Sequence, residues 1–388
     1  MFKVATLNKI SPKGLAFLDE KYEITEDLNE ANAIIVRSAD MHEMELPESL
    51  LAIARAGAGV NNIPIDSCTE KGILVFNTPG ANANAVKELV LAGMIMAARN
   101  IPAALDWEKT LTEDVAKSVE KGKGQFAGEE LLGKTLGVIG LGFIGVMVAN
   151  VAESLGMRVV GHDPYLSLKA AHDLSPSVKL FDKLPAMLPE CDYVSIHAPS
   201  NKETTGMFNY EMMGYMKNKC VLLNFSRDKL VVADDLKRAL EEKKLRYYVT
   251  DFPTDDLQGV PGIILIPHLG ASTQESEENC AIMAVEEIKD FLENGNILNS
   301  VNYPTVQHGK WDVGPRIVVL HKNIPAMLGT MTSSLAGMGV NISHMMNKSK
   351  DNFSCTLLDC DEEVDEDAVR KAFAVDGIIS VRIIPKRS

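Results

Sequence analysis

The stretch GKTLGVIGLGFIG, residues 133–145, decides how the middle of this chain folds. Its glycines, Gly140, Gly142 and Gly145, have GxGxxG spacing, which alone is a weak signal, but apolar runs lie on both sides of them. In a strand–turn–helix unit the first glycine permits a tight turn, the second lets backbone N–H groups reach a pyrophosphate, and the third lets the helix pack on the strand. The context therefore predicts a phosphate-binding turn between a strand and a helix.

A second apolar run, RVVGHD, ends at Asp163, where dinucleotide-binding βαβ units carry an acidic residue. A carboxylate accepts hydrogen bonds from a ribose 2′-hydroxyl but repels a 2′-phosphate, and no arginine follows in HDPYLS. The sequence therefore predicts NAD rather than NADP as the cofactor. The predicted cofactor-binding residues of this region are Gly140, Gly142, Phe143, Ile144, Gly145 and Asp163.

Short apolar runs recur along most of the chain. Before the turn they are FKVATL, AIIVRS, LLAIARAG and GILVFNTP; after RVVGHD they are YVSIHAP, CVLLNFS, LRYYVTDF and GIILIPH, the last predicted to be a buried strand. Helical segments such as SPKGLAFLDEKY, residues 11–22, separate them, and strands that alternate with helices are typical of parallel sheets. The predicted fold class is α/β, with two doubly wound, Rossmann-like parallel-sheet domains.

Two helical segments connect these domains. From Asn82 the chain is apolar on nearly every side, which predicts a buried connecting helix. The amphipathic segment TQESEENCAIMAVEEIKDFLENG is long enough to return the chain to the first domain. We therefore predict that residues 1–95 and 284–302 form one domain, which binds substrate, and that residues 96–283 form the NAD-binding domain.

Residues 303–315, YPTVQHGKWDVGP, combine prolines, glycines and polar residues without periodicity, which predicts a linker. Beyond it, RIVVL, VNISHMMN, FSCTLLDC and IISVRIIP are predicted strands. The predicted helices are NIPAMLGTMTSSLAGMG, with Pro325 near its first turn, and DEDAVRKAFAVDG. Residues 316–388 therefore form a βαββαβ module, whose position after a linker favours a regulatory or assembly role.

Composition limits the possible partners. A formal charge of -14 argues against nucleic acid and against an anionic membrane surface, since both attract basic faces. The start of the chain has no export or import pattern, and no apolar run is long enough for a membrane span, so we expect a soluble cytoplasmic protein. The six cysteines are scattered without paired spacing, so we expect reduced thiols and no bound metal.

Polar residues follow three predicted strands of the second sheet. Arg227 follows CVLLNFS, Asp255 and Asp256 follow LRYYVTDF, and His268 ends GIILIPH. Ligands bind at this edge of open α/β sheets, histidine can take a hydroxyl proton, and arginine can clamp a carboxylate. Together these residues predict hydride transfer on a hydroxy acid. Taken singly, the histidine could cap a strand, the arginine could be a surface charge, and the aspartates could form a turn.

These segments resemble a known family. GKTLGVIGLGFIG, LNFSR and IPHLGAST are similar to signature segments of the D-2-hydroxyacid dehydrogenases. AIIVRSAD, ARAGAGVNNI and GILVFNTPGANANAVKEL resemble that family's D-3-phosphoglycerate dehydrogenase branch, and the likeness runs from Ala33 to Val301. It implies NAD-dependent oxidation of D-3-phosphoglycerate to 3-phosphohydroxypyruvate, the first step of serine biosynthesis, by a homodimer or homotetramer. Oxidation of another D-2-hydroxy acid (glycerate or a branched one), or NAD sensing in a corepressor-like binding protein, are the alternatives.

The resemblance also implies roles for residues. Arg227 would anchor the substrate carboxylate, His268 would be the acid–base group, and Asp255 would pair with His268. Arg37 and Arg55 would bind the phosphate. The full implied substrate-binding set is Arg37, Ser38, Arg55, Ala58 and Gly59. Asp251 joins the implied cofactor-binding residues.

The chain departs from the family pattern near these residues. FPTDD has aspartate where most members have glutamate, so Asp255, or Asp256 after a local shift, must act with a shorter side chain. The connection from there to His268 is also shorter than usual. Arg227 is followed by Asp228 where glycine is common. These departures leave the partner of His268 open.

The C-terminal module resembles an ACT domain, a small unit that senses amino acids. LHKNIPAMLG and GMGVNI are similar to the serine-binding segments of regulated members of the family. The likeness implies that His321, Asn323 and Asn341 bind serine as an allosteric effector. The alternative is a dimerisation module in which these side chains cap strands and turns.

Overall fold

The structure is a computed structural model that describes residues 1–386, so Arg387 and Ser388, the end of the predicted C-terminal module, lie outside the described residues. The chain packs as two units, one formed by Met1–Ala81 with the chain from Glu277 onward, the other by Asn82–Ser276. The boundaries drawn from the sequence near residues 95 and 284 differ from this division. In this division the helix that follows Asn82 belongs to the second unit.

The first unit begins with a five-stranded parallel sheet in the order β2-β1-β3-β4-β5. Its elements are β1 (Phe2–Leu7), α1 (Pro12–Leu15), β2 (Tyr22–Thr25), β3 (Ala33–Val36), β4 (Ala52–Arg55), α2 (Ile65–Glu70) and β5 (Leu74–Asn77). Strand β3 is buried along its whole length, as expected for an unbroken apolar run in a parallel sheet covered on both faces. Val36 pairs with Arg55, so the carboxyl ends of β3 and β4 lie side by side.

The prediction of a helix over residues 11–22 is wrong beyond its first turn. Helix α1 ends at Leu15, and a turn in which the Tyr22 N–H donates to the Asp19 carbonyl leads into strand β2. Only Tyr22 is buried in this edge strand. The sequence pattern missed β2 because an edge strand with one buried residue carries no apolar alternation.

The second unit contains a seven-stranded parallel sheet in the order β12-β11-β10-β9-β6-β7-β8. Its strands are β6 (Thr135–Ile139), β7 (Arg158–His162), β8 (Lys179–Leu180), β9 (Tyr193–Ile196), β10 (Cys220–Asn224), β11 (Leu245–Thr250) and β12 (Ile263–Leu265). Its helices are α3 (Ala83–Ala98), α4 (Ile101–Glu108), α5 (Val115–Gly122), α6 (Phe143–Ser154), α7 (Leu168–Asp173), α8 (Leu184–Met187), α9 (Tyr210–Gly214) and α10 (Ala233–Glu241). The strand order reverses between β6 and β9, which pair directly, so this sheet has a topological switch point.

Two strands of this sheet differ from the prediction. The exposed pair Lys179–Leu180 forms an additional edge strand, β8, that six predicted strands did not include. The apolar run before His268 forms only the three-residue β12, whose residues are half-buried. The prediction that this run is a buried strand is wrong. Strand β12 lies at the edge of the sheet opposite β8, and one side of an edge strand faces solvent.

Helix α3 belongs to the second unit and is buried on one side only, since Ala92 and Ile95 are exposed. Val86, Val90 and Met94 belong to the apolar core that also contains residues of β6 and α6. Among the described residues no single helix is long and apolar enough to cross a membrane. The pair α3 and α4 meets that requirement jointly by length and composition, with a bend of 68° between them.

The chain returns to the first unit through helix α11 (Gln274–Asn294) and ends in a four-stranded antiparallel sheet, ordered β14-β15-β13-β16. The elements are β13 (Arg316–Lys322), α12 (Met327–Gly337), β14 (Ile342–Lys350), β15 (Phe353–Cys360), α13 (Glu366–Ala372) and β16 (Ile378–Ile384). The predicted α/β class and βαββαβ order are confirmed. Helix α12 starts after Pro325, since Ala326 has a φ of +71°, which breaks the helix there.

The segment predicted as a linker is partly core. Tyr303 and Val306 are fully buried, and Val306 forms a β-bridge with Ile297. One apolar cluster contains these residues together with residues of α11, the first sheet and the antiparallel sheet. The C-terminal module therefore shares a core with the first unit, which the polar composition of residues 303–315 did not indicate.

Candidate active site

The turn after β6 requires glycine at two positions. Gly140 has a φ of +84°, and a Cβ there would lie 2.7 Å from the carbonyl carbon of His197. A Cβ on Gly145 would lie 1.9 Å from the carbonyl oxygen of Gly140. Real Cβ atoms do not approach backbone this closely, so α6 packs against the turn only with glycine at both places.

The middle glycine faces space instead. A Cβ on Gly142 would have no described atom within 4 Å, and Gly142 is the N-cap of the twelve-residue helix α6. Helix N-termini present unpaired N–H groups and a positive dipole end, which bind phosphate. This open approach to a helix N-terminus fits the pyrophosphate of a dinucleotide.

Asp163 lies directly after β7 and supports the same turn. Its Oδ2 accepts a hydrogen bond from the Leu141 N–H at 2.7 Å, and its Oδ1 accepts one from the Tyr165 N–H at 2.8 Å. Each carboxylate oxygen has a second lone pair. The side chain is therefore fixed by the backbone while it keeps acceptor capacity for ribose hydroxyls.

Asp251, at the end of β11, is almost fully buried. Its Oδ2 accepts a hydrogen bond from the Gly270 N–H at 3.1 Å, and its Oδ1 is buried without a partner. Burial raises the pKa of Asp251, and the nearby His268 and Arg227 side chains oppose that rise. The carboxyl therefore braces the loop that follows His268.

His268 is exposed at the carboxyl edge of the sheet, with its ring centroid 4.8 Å from that of Phe252. Within residues 1–386 no ion pair of 4 Å or less joins His268 to Asp255 or Asp256. Asp256 instead accepts a hydrogen bond from Thr254 at 2.6 Å. The structure does not bring the expected aspartate to His268, because both aspartates lie on an exposed loop and have short side chains.

Arg227 is also exposed, after β10, and its Nη1 donates to the Ser226 carbonyl at 2.6 Å. No carboxylate of the described chain lies within 4 Å of its guanidinium, so the neighbouring Asp228 does not pair with it. A cation without an acidic partner at this edge is suited to binding a carboxylate from solution.

His197 is a residue of this edge that the sequence interpretation missed. It follows β9, and its Nε2 lies 2.9 Å from the Ser195 hydroxyl, while its Nδ1 is buried without a partner. Burial lowers the pKa of His197 to about 4, so the ring is neutral at physiological pH. The sequence signal for this residue is the histidine in YVSIHAP, a run that the periodicity predicts only as a strand.

The carboxyl edge of the first sheet carries the two predicted phosphate-binding arginines. The Arg55 Nε donates to the Arg37 carbonyl at 3.0 Å, which brings the two residues together. A Cβ on Gly57 would lie 2.4 Å from Nη1 of Arg55, so the arginine packs over this glycine. Arg37 also forms an ion pair with Glu277 at 2.7 Å, which the sequence did not indicate because α11 is distant along the chain.

The remaining predicted substrate residues lie at the same edge. The Ser38 N–H donates to Asn8 Oδ1 at 2.9 Å, and the Ala58 carbonyl accepts from Asn77 Nδ2 at 2.6 Å. Gly59 follows in the half-buried loop after β4. Side-chain amides therefore hold the backbone after β3 and after β4: Asn8 contacts Ser38, and Asn77 contacts Ala58.

The three predicted effector residues have internal partners. His321 is buried, and its ring nitrogens contact the Lys322 carbonyl at 2.9 Å and the Thr356 hydroxyl at 2.8 Å. Asn323 donates to the Asp351 carbonyl at 3.3 Å, and Asn341 donates to Asp361 at 2.6 Å. Both asparagines are exposed, whereas an effector could reach His321 only by replacing its present partners.

The glycine turn at a switch point, together with Asp163, defines a dinucleotide-binding α/β protein. Residues 91–270 match the family model described as D-isomer specific 2-hydroxyacid dehydrogenase, NAD binding domain. A D-3-phosphoglycerate dehydrogenase of Escherichia coli is 30% identical over 95% of this chain and 90% of its own length. The chain belongs to the D-isomer specific 2-hydroxyacid dehydrogenase family, and the predicted NAD cofactor is confirmed by the matched domain.

Two further proteins extend the comparison. A D-3-phosphoglycerate dehydrogenase of Methanocaldococcus jannaschii is 35% identical over 75% of this chain, which spans 55% of that relative's length. The crystal structure of NAD+-bound 3-phosphoglycerate dehydrogenase from Entamoeba histolytica has a TM-score of 0.61 at 27% identity. It covers 78% of this chain and 98% of its own.

Proposed function

We propose that this protein catalyses the NAD-dependent oxidation of D-3-phosphoglycerate to 3-phosphohydroxypyruvate, the first step of serine biosynthesis. The observation that carries the proposal is that Arg227 and His268 lie at the same sheet edge as the dinucleotide-binding turn. The names of the relatives from Escherichia coli and Methanocaldococcus jannaschii support the choice of substrate.

In this reaction Arg227 binds the substrate carboxylate, since its guanidinium matches a carboxylate with two parallel hydrogen bonds. His268 accepts the proton of the 2-hydroxyl as the C–H bond breaks. Bound NAD supplies the hydride acceptor. Histidine suits this step because its ordinary pKa lies near neutral pH, so the neutral ring is available as a base.

The carboxyl group that supports His268 is assigned here to Asp251 rather than to Asp255. A nearby carboxylate stabilises the imidazolium that forms when His268 takes the proton. The His268 side chain opposes the burial that raises the pKa of Asp251, and Asp251 is held by the Gly270 N–H, whereas Asp255 lies on an exposed loop. Asp255 keeps a catalytic role only if the loop after Phe252 moves when substrate binds.

Arg37 and Arg55 are proposed to bind the substrate phosphate, with Ser38 beside Arg37, and the backbone at Ala58 and Gly59 is proposed to receive the carboxylate. Arg37 follows β3 and Arg55 ends the adjacent strand β4, so two cations lie at one edge of an acidic protein. An unphosphorylated hydroxy acid gives no reason for two such cations. Their presence favours phosphoglycerate over glycerate or a branched hydroxy acid.

The C-terminal module is proposed to be an ACT domain that binds serine as an allosteric effector. Support comes from its βαββαβ order and from exposed Asn323 and Asn341, whose amides offer donors and acceptors for an amino acid. His321 contributes only if it exchanges its bonds to Lys322 and Thr356. Feedback by serine then requires that serine bind one conformation of the protein more tightly than another.

The proposal is tested by the initial rate of NADH formation from D-3-phosphoglycerate and NAD, with D-glycerate as the comparison substrate. Arg37→Gln and Arg55→Gln should raise KM for D-3-phosphoglycerate much more than for D-glycerate, because only the former carries the phosphate. Equal loss with both substrates would contradict the phosphate role and favour another hydroxy acid.

Absence of forward activity is followed by the reverse assay, with 3-phosphohydroxypyruvate and NADH. Silence in both directions, with NAD binding intact, would reject the enzyme and support a corepressor-like NAD-binding protein.

Adding serine to the active enzyme tests the proposed effector. An unchanged rate would mean that the C-terminal module serves assembly only. Cytoplasmic location, homodimer or homotetramer formation, and the domain boundaries at 95 and 284 stay predictions.

A further inference from the structure

Three potential metal ligands meet at the junction between the segment 303–315 and the antiparallel sheet. They are His308 from that segment, His344 from β14 and Asp359 from β15, and one ligand atom of each lies within 4.8 Å of the others. We propose that these side chains bind a divalent first-row transition-metal ion, with Zn²⁺ as the best match.

The donor set and spacing favour zinc. The His308 Nε2 lies 3.5 Å from Oδ2 of Asp359. Two ligands of a tetrahedral ion at zinc's usual bond lengths of about 2.0–2.1 Å are roughly 3.3 Å apart, so this pair needs little adjustment. Two imidazoles and one carboxylate suit zinc and its neighbours, whereas Mg²⁺ and Ca²⁺ prefer oxygen ligands throughout. A water molecule would complete the four-coordinate site.

Arg316 holds two of the three ligands in place. Its Nε and Nη2 donate to Oδ1 and Oδ2 of the buried Asp359 at 2.5 and 2.9 Å. It also donates to the His308 carbonyl at 3.3 Å and to the Gly309 carbonyl at 2.8 Å. Outer hydrogen bonds of this kind typically orient metal-binding carboxylates, and each carboxylate oxygen keeps a second lone pair for the ion.

The third ligand has room to adjust. His344 is exposed, and its ring centroid lies 5.2 Å from that of His308 and 5.3 Å from that of Trp311. Trp311 is fixed because its indole N–H donates to the Cys360 carbonyl at 3.2 Å. Rotation of this exposed side chain can bring its ring nitrogen closer to the other two ligands at a cost of one rotamer change.

The positive charge of Arg316 offsets that of Asp359, so most of the binding energy must come from the two imidazoles. Both histidines are therefore necessary. A bound ion would tie the segment 303–315 to β14 and β15, adding a cross-link between the first unit's α/β part and its C-terminal module. Three separate chain segments supply the ligands, which is why no motif spacing revealed the site.

The test uses the full chain with any affinity tag removed. Titration with Co²⁺, followed by its visible absorption, and equilibrium dialysis with Zn²⁺ should both show one ion bound per chain. His308→Gln and His344→Gln should each weaken binding by at least about tenfold. The matched control is His42→Gln, because His42 is an exposed histidine that also contacts an aspartate, Asp40, at 2.6 Å.

Saturable binding of one ion that both site variants weaken and the control retains would support the proposal. Absence of saturable binding, or unchanged affinity in His308→Gln and His344→Gln, would overturn it. Because His344 is exposed, its substitution leaves the fold intact, and circular dichroism with NAD titration verifies this. The proposal does not depend on the proposed substrate, since its readout is metal binding.

Discussion

The two parallel sheets hold their polar edge residues in different ways. In the second unit, the turn at Gly140–Gly145 and Asp163 are fixed by contacts with the backbone, such as the Leu141 N–H bond to the carboxylate. In the first unit, Arg37 and Arg55 are positioned by a backbone carbonyl and by the carboxylate of Glu277 on α11. The Leu141–Asp163 bond lies within one βαβ unit, whereas Arg37 depends on Glu277, which is far away in the chain.

This difference explains why one edge was easier to predict. The glycine spacing can be recognised in the sequence because a Cβ on Gly145 would collide with Gly140, five residues earlier, although the clash at Gly140 is with the distant His197. An arginine side chain has several rotatable bonds, so its position is decided by partners that only the tertiary structure supplies. Substitutions at each of the two edges test this difference.

The largest effect is expected at the edge of the second sheet. His268→Gln should lower kcat by roughly 10²- to 10⁴-fold, because a positioned general base contributes about that factor. NAD affinity, measured by quenching of protein fluorescence, should stay unchanged because the glycine turn is intact. An equal loss of NAD affinity would show that His268 acts in binding instead.

The first unit should show a pH dependence of stability that originates at Glu287 on α11. This side chain is buried, accepts one hydrogen bond from Asn299 at 2.7 Å, and has Oε2 without a partner. Burial raises the pKa of Glu287 to about 8 from 4.5. The folded protein therefore keeps a proton that the unfolded chain releases, so the free energy of unfolding falls as pH rises between these two values.

Glu287→Gln should remove that dependence and raise the free energy of unfolding, on the order of a few kcal/mol, above about pH 8. Urea unfolding of both proteins at about pH 5 and about pH 9 measures the difference. Glu275→Gln is the control, since Glu275 is exposed on the same helix. A gain at high pH no larger than at low pH would contradict a buried, protonated Glu287.

Two glycine substitutions sharpen the description of the turn. Gly145→Ala should lower the free energy of unfolding by about 1–3 kcal/mol and weaken NAD binding, because its Cβ collides with the Gly140 carbonyl. Gly142→Ala should leave stability unchanged, since no described atom lies near its Cβ, and should weaken NAD binding alone. Thermal unfolding and NAD titration separate the two outcomes, and equal destabilisation would contradict the assigned turn.

The smallest effect is expected at the edge of the first sheet. Glu277→Gln should lower KM for D-3-phosphoglycerate by roughly two- to fivefold, because it frees Arg37 from an exposed ion pair of modest strength. Glu278→Gln is the control, since Glu278 pairs with Lys13 at 2.7 Å instead. A rise in KM would mean that Glu277 orients Arg37 rather than competing for it.

The sequence by itself determined the features that arise from local sterics and periodicity. These include the glycine turn, the acidic residue after β7, the alternation of strands and helices, and the βαββαβ order of the C-terminal module. Each depends on residues close together in the chain, where backbone sterics and burial pattern leave few alternatives. The edge strands β2 and β8 were missed because their exposure removes that pattern.

Only the tertiary structure decided which side chains are partners. It paired Arg37 with Glu277, placed Asp255 on an exposed loop, and buried His321 between its own partners. It also joined His308, His344 and Asp359, which lie in three segments. The physical reason is that a side-chain contact depends on how whole elements pack, which local sequence does not encode.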